Sequence, residues 1–166
     1  MKKIMLLTMV ALLMAACATL TPEEKAAREA ERLENLRTAV INQRYKISIT
    51  SMKPIRGTSR SVSGGHWIKV DSTSLDCSLP YAGLDDVPHM KSRAEVRMDS
   101  KLDFRSDIQD YILQLHPNDK SATITFKADF HGLEQKFRII IDAGGNAKIH
   151  LDPEGRDMID YEGRVN

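Results

Sequence analysis

The order of apolar and polar positions divides this chain into three stretches with different periods. Residues Ile4 to Ala16 form an apolar run behind Lys2 and Lys3. From Ala26 to Val40 the apolar positions Ala26, Ala30, Leu33, Leu36 and Val40 recur three or four apart, which is the repeat of a helix face. From Tyr45 onward the period drops to two. Tyr45, Ile47 and Ile49 alternate with Lys46, Ser48 and Thr50. Ile68 and Val70 alternate with Trp67 and Lys69, and Leu75, Cys77 and Leu79 with Asp76 and Ser78. Further apolar sets follow at Val96/Met98, Tyr111/Leu113/Leu115, Ala122/Ile124/Phe126/Ala128/Phe130, Phe137/Ile139/Ile141, Ala147/Ile149/Leu151 and Ile159/Tyr161/Gly163/Val165. Strict alternation predicts strands with one buried and one wet face, and such strands pair antiparallel.

The punctuation between the sets agrees with this reading. Ser63-Gly64-Gly65, His116-Pro117-Asn118-Asp119, His131-Gly132, Gly144-Gly145-Asn146 and Asp152-Pro153-Glu154-Gly155 carry the residues that tight turns require. The expected fold class is therefore mainly β: an antiparallel β-sandwich or partly open barrel of about nine or ten strands, preceded by one N-terminal α-helix. Thr21-Pro22-Glu23-Glu24 marks the helix start, with Thr as cap, Pro in the first helical position and Glu three residues after the cap. The predicted boundaries are 22–44 for the amphipathic helix and 45–166 for the β domain. The Leu33/Leu36/Val40 end of the helix is expected to dock on that domain, its first turns serving as a spacer.

The thirteen residues from Ile4 to Ala16 would span about 20 Å as a helix, short of a bilayer core of about 30 Å. A basic start, a short apolar stretch and small residues before a processing point mark a secretory signal. Residues 1–16 are expected to be removed, leaving Cys17 first and 17–21 as a short linker. Met14-Ala15-Ala16-Cys17 resembles the lipobox of bacterial lipoproteins, with Met in the place more often held by Leu. The resemblance implies a diacylglycerol on the Cys17 sulfur and acylation of the new amino group. Several acyl chains hold a protein durably where one does not. The implied location is the cell envelope, at the outer membrane facing the periplasm.

Charge and cysteine usage then remove several function classes. The full chain of 166 residues holds 24 basic and 23 acidic side chains. Such balance gives no field to steer nucleic acid, so no nucleic-acid partner is expected. With Cys17 lipidated, Cys77 is the remaining thiol, and its place between Leu75 and Leu79 predicts a buried structural role. His66, His89, His116, His131 and His150 are scattered without metal-ligand spacing, so no metal and no cofactor is expected. Asp152-Pro153-Glu154-Gly155-Arg156-Asp157 lacks the alternating oxygen ligands of a calcium loop and reads as a turn. The serines and threonines between Thr58 and Ser74 match no nucleophile motif.

Two constellations remain. Trp67 falls on the polar face of its strand; the helix or another strand is expected to cover that face, and if it is left exposed, Trp67 with Tyr81 is the first candidate for an aromatic contact surface for an envelope protein or glycan. Asp85, Asp86 and His89 form the densest ionisable cluster; gathered in a pocket they would serve an envelope hydrolase acting on glycan or peptide, the alternative to a binding or scaffolding module.

Three segments carry a family resemblance. Val40-Ile41-Asn42-Gln43-Arg44-Tyr45-Lys46-Ile47, Met52-Lys53-Pro54-Ile55-Arg56-Gly57-Thr58-Ser59-Arg60 and Ser74-Leu75-Asp76-Cys77-Ser78-Leu79-Pro80-Tyr81-Ala82-Gly83 are similar to the DUF4251 family of Bacteroidetes lipoproteins. The closing Gly163-Arg164-Val165 fits as well, so the resemblance covers essentially the mature chain. Ala82 stands where members carry an aromatic, and Leu84 to Arg93 is charged where they are glycine-rich. The resemblance implies an envelope location; it brings no catalytic residue, cofactor or activity.

Overall fold

A computed structural model of the chain describes residues 21–82, 101–116 and 120–166. Residues 1–16, Cys17, Asp85, Asp86, His89 and the expected strand at Val96/Met98 lie outside the described residues, as do positions 117–119 of the expected turn after His116.

Helix α1 covers Pro22–Ile41. Its cap forms as the sequence requires: the Glu24 amide donates to Thr21 Oγ1 at 3.2 Å, and the Thr21 amide donates back to Glu24 Oε2 at 2.9 Å. The helix ends at Ile41, earlier than the predicted boundary at Arg44. Gln43 takes a left-handed φ of 53° and its amide turns back to the Val40 carbonyl at 3.1 Å, which stops the helical ladder. Every side chain from Thr21 to Arg32 is exposed. From Leu33 on, the chain belongs to one compact body.

Among the described residues that body is built from ten strands: β1 (Arg44–Pro54), β2 (Arg60–Ser61), β3 (Trp67–Asp71), β4 (Ser74–Pro80), β5 (Lys101–Asp107), β6 (Gln109–His116), β7 (Ser121–Phe130), β8 (Leu133–Asp142), β9 (Asn146–Pro153) and β10 (Ile159–Val165). They form one antiparallel sheet in the order β5-β4-β3-β1-β10-β9-β8-β7-β6, with β2 a short addition beside β1. The sheet curls into a nearly closed barrel. Closure comes from a single segment, because β5 and β6 are consecutive and only Ile108 separates them. Its first half pairs with β4 and its second with β7. The Ile108 amide is held on the Thr73 carbonyl at 2.6 Å, and the Asp129 amide at the end of β7 donates to Ser106 Oγ on β5 at 3.1 Å.

Alternation decides what fills the barrel. Ile47 and Ile49, Ile68 and Val70, Leu75, Cys77 and Leu79, Ile139 and Ile141, Ala147, Ile149 and Leu151, and Ile159 and Tyr161 all point inward and are buried. Aromatic rings tie β6, β7 and β8 together. Tyr111 and Phe126 stack with centroids 6.1 Å apart, and Phe126 and Phe137 at 4.9 Å. The predicted turn at His131-Gly132 joins β7 to β8 with φ of 57° and 82°, the signs a two-residue hairpin turn of type I′ needs.

Candidate binding groove

Where the second half of α1 crosses the body, it leaves a groove of about 410 Å³. Leu33, Leu36 and Val40 form the helix wall; Leu115 at the end of β6, Ala122 at the start of β7 and Ile141 at the end of β8 form the sheet wall. The geometry follows from two periods meeting. Helical spacing turns Leu33, Leu36 and Val40 to one side, and strand alternation turns Leu115, Ala122 and Ile141 to the inner side. Val40 is the anchor, buried to 1% exposure, with its carbonyl accepting from the Tyr111 hydroxyl at 3.4 Å. Leu36 and Ala39 pack beside it on the core.

The rim is polar and mixed in sign: Glu34 and Arg37 from the helix, His116, Lys120 and Asp142 from the strand ends. Two of these groups are already fixed. His116 Nε2 lies 3.1 Å from Thr123 Oγ1. Asp142 accepts from the Asn146 backbone amide and from Asn146 Nδ2, each at 2.9 Å. Partial burial pushes the Asp142 carboxyl up, but the Asn146 side chain and the amides of Gly144, Gly145 and Asn146 outweigh it and hold the group below the ordinary carboxylate range. An apolar trough with a few oriented polar groups at its lip is suited to holding an apolar group.

A second concavity, of about 570 Å³, lies on the outer face of β8, β9 and β10. Cross-strand register lines up Arg138, His150 and Asp160 there, beside Ile140, Lys148 and Glu162. Its polar groups answer one another: His150 Nδ1 lies 2.6 Å from Asp160 Oδ1, and the Ser51 hydroxyl donates to Glu162 Oε2 at 3.0 Å. Both of those pairs sit in solvent, where an ion pair contributes little.

The candidate aromatic surface of Trp67 and Tyr81 does not form. Trp67 is half-buried on the outer face, with Lys46 Nζ 5.0 Å from its ring centroid. Tyr81 continues the inward parity of Leu75, Cys77 and Leu79, so it lies on the other face of the sheet and is buried. Its hydroxyl donates to the Asp157 carbonyl at 3.1 Å, and the Arg156 guanidinium carbon stands 5.3 Å from its ring. Cys77 is buried, and loss of solvent pushes its thiol well above the usual range, helped by the nearby Asp76 and Asp103 and opposed by a backbone hydrogen bond at Phe104. Among the described residues no group of three or more His, Cys, Asp and Glu side chains is placed to hold a metal ion. Sequence reading named each wall of the groove separately, but the pairing order that brings Leu115, Ala122 and Ile141 under the helix is not written in alternation.

The sequence model of a family described as a domain of unknown function, DUF4251, matches residues 27–165. No curated protein matches the sequence. Among solved structures, the chain is similar to the crystal structure of a DUF4251 family protein from Bacteroides eggerthii, with a TM-score of 0.58 and 11% sequence identity over 84% of this chain and 89% of that one. At that identity the likeness is one of fold.

Proposed function

We propose, for a chain that belongs to the DUF4251 family, that it is a lipid-anchored protein of the bacterial cell envelope whose β body is a binding module. In this reading residues 1–16 direct export, Cys17 carries the lipid, and the exposed, capped turns of α1 hold the body away from the bilayer at the periplasmic side of the outer membrane. The observation that carries the anchoring is Met14-Ala15-Ala16-Cys17 at the end of a short apolar run behind two lysines. Among the described residues no helix is long and apolar enough to cross a membrane, so the tether assigned to Cys17 is the attachment this reading depends on.

The groove supports the binding half. Its walls present Leu33, Leu36, Leu115, Ala122 and Ile141, and the partner that fits is an envelope polypeptide offering an apolar side chain. Mass spectrometry of protein purified from its own membranes tests the anchor. The expected result is a chain beginning at residue 17 with a thioether-linked diacylglycerol, and Cys17→Ala moving to the aqueous phase on detergent partition. An intact Met1 or an unmodified Cys17 rules the anchor out. For the groove, Leu115→Glu is expected to abolish capture of the partner recovered by the native protein while circular dichroism stays unchanged; undiminished capture rules the groove out.

A further inference from the structure

We infer that the groove beside α1 recognises a polypeptide by its C-terminus, the last apolar side chain entering the trough and the terminal carboxylate resting on Arg37 and Lys120. This rests on the proposed binding role of the groove and names the part of the partner that the groove reads.

Size sets the first limit. A helix about 10 Å across would fill the groove's volume of about 410 Å³ in about one turn, so the groove takes one or two side chains and not a whole element of structure. Its walls are side chains whose own backbones are engaged. α1 bonds within its helical ladder, and β7 is paired on both sides where it lines the groove: Ser121 and Ala122 stand opposite His116 and Leu115 of β6 and opposite Asp142 and Ile141 of β8. An internal stretch of chain pressed into such a trough would carry amides and carbonyls on both sides of its apolar residue, with no ladder there to join. A chain end brings one dominant polar group, a carboxylate bonded to the same Cα that carries the side chain.

The lip suits that group. The cross-strand pairing puts His116, Ser121 and Asp142 in one row, with Lys120 beside it at a left-handed φ of 47°. Two members of the row are committed: His116 Nε2 lies 3.1 Å from Thr123 Oγ1, and both Asp142 oxygens accept from Asn146. Among the described residues, the permanent cations lining the groove are Arg37 from the helix and Lys120 from the sheet. The arginine fork matches a carboxylate in shape and the lysine adds a point charge. Glu34 precedes Arg37 by about one helical turn, toward the exposed start of α1. It repels a carboxylate at that end, which leaves the Arg37 end for the terminus. Capture of a chain by its terminal carboxylate is a recurring mode of peptide recognition.

Fluorescence anisotropy on the mature chain carrying Cys17→Ser tests this, with two fluorescein-labelled glycine-serine peptides ending in leucine, one a free acid and the other a C-terminal amide. The acid is expected to bind about tenfold more tightly than the amide, the order of one charge-assisted hydrogen bond. Arg37→Gln and Lys120→Asn are each expected to weaken the acid several-fold and leave the amide as it was, with unchanged circular dichroism; asparagine tolerates the left-handed φ at position 120. Equal binding of acid and amide overturns the inference, and so does acid binding that neither substitution weakens. In both cases a loss of peptide binding in Leu115→Glu would still uphold the groove itself. Acid binding undiminished by Leu115→Glu places the peptide elsewhere and overturns groove and terminus together. Binding of laurate with no binding of either peptide would make the occupant an acyl chain and overturn the peptide assignment.

Discussion

Gly163 on β10 lies directly against Ser48 on β1, so closely that a Cβ at position 163 would overlap the Ser48 carbonyl oxygen and stand 2.9 Å from Ile47 Cγ2. The register explains the crowding. Ser48 pairs with Arg164 and Ile49 with Gly163, just before a register shift between Ile49 and Ser51. Both neighbours are fixed, the carbonyl by the sheet and Ile47 by complete burial. Gly163→Ala is therefore expected to destabilise the fold by about 1–3 kcal/mol, the usual cost of an extra carbon in a filled core. Urea unfolding followed by Trp67 fluorescence measures it; an unchanged midpoint would show that the strands can part without loss.

Tyr161 crosses the barrel interior to donate its hydroxyl to the Pro80 carbonyl at 2.8 Å. Removing the oxygen in Tyr161→Phe leaves that carbonyl without this donor and is expected to cost about 1–2 kcal/mol. Denaturant titration of the two proteins at neutral pH gives the difference directly.

The same tyrosine makes stability fall in alkali. Burial raises the phenols of Tyr45 and Tyr161 above the ordinary 10.0 and the Cys77 thiol above 9.0. The folded chain then keeps protons that the unfolded chain has released, so the contribution is complete below about pH 9 and is lost progressively as pH rises past 9 and 10. Unfolding midpoints measured from pH 7 to 11.5 should stay level at first and then drop. The drop should be shallower in Tyr161→Phe, and phenolate absorbance should rise with unfolding and not before it. A midpoint independent of pH across that range would contradict the burial.

Alternation was a faithful guide where strands carry three or more apolar residues in step. Ala122 to Phe130, Phe137 to Ile141 and Ala147 to Leu151 lie in β7, β8 and β9, with their even-spaced residues on the inner side. It failed at β5, where Lys-Leu-Asp-Phe-Arg-Ser-Asp offers only Leu102 and Phe104 to the interior and the rest to water or to the rim. Two inward residues are too few to register as a period. Tyr81 is in step with Leu79 and is buried with it, but a tyrosine with a polar tip suits a surface position as well, so composition alone does not decide its side. Barrel closure turns on Ile108 and its bond to the Thr73 carbonyl, and a bend of one residue between two strands leaves no trace in a hydrophobic pattern. The helix cap, by contrast, was fully specified by Thr21 and Glu24, since both partners lie within one turn.

Cys77 gives a simple probe of whether the body opens. Its side chain is completely buried on β4, and desolvation keeps the thiol protonated. Since the chain has two cysteines, a Cys17→Ala protein reports on Cys77 alone. No reaction with an aromatic disulfide reagent is expected at pH 8 in the folded state, and one equivalent in denaturant. Reaction at the rate of a free thiol before unfolding would mean that β4 is not sealed by β3 and β5.

Protease sensitivity should separate the first turns of α1 from the sheet. All side chains from Thr21 to Arg32 are exposed, including Lys25, Arg28 and Arg32. What stabilises these turns is therefore local: the Thr21 and Glu24 cap, and the acidic Glu23 and Glu24 at the positive end of the helix. A helical segment this short is marginal in water without packing, so it opens far more often than the paired strands. Under limiting trypsin, Lys25, Arg28 and Arg32 should be cut before Lys46, Lys69 or Lys136, as N-terminal sequencing of the fragments would reveal. Thr21→Ala removes the cap at a cost of about 1 kcal/mol, which should speed cleavage at Lys25 about fivefold while opening is fast relative to cutting. Early cleavage at Lys46 or Lys69 would instead mean that β1 or β3 opens more readily than the helix, against the burial of Ile47, Ile68 and Val70 on those strands.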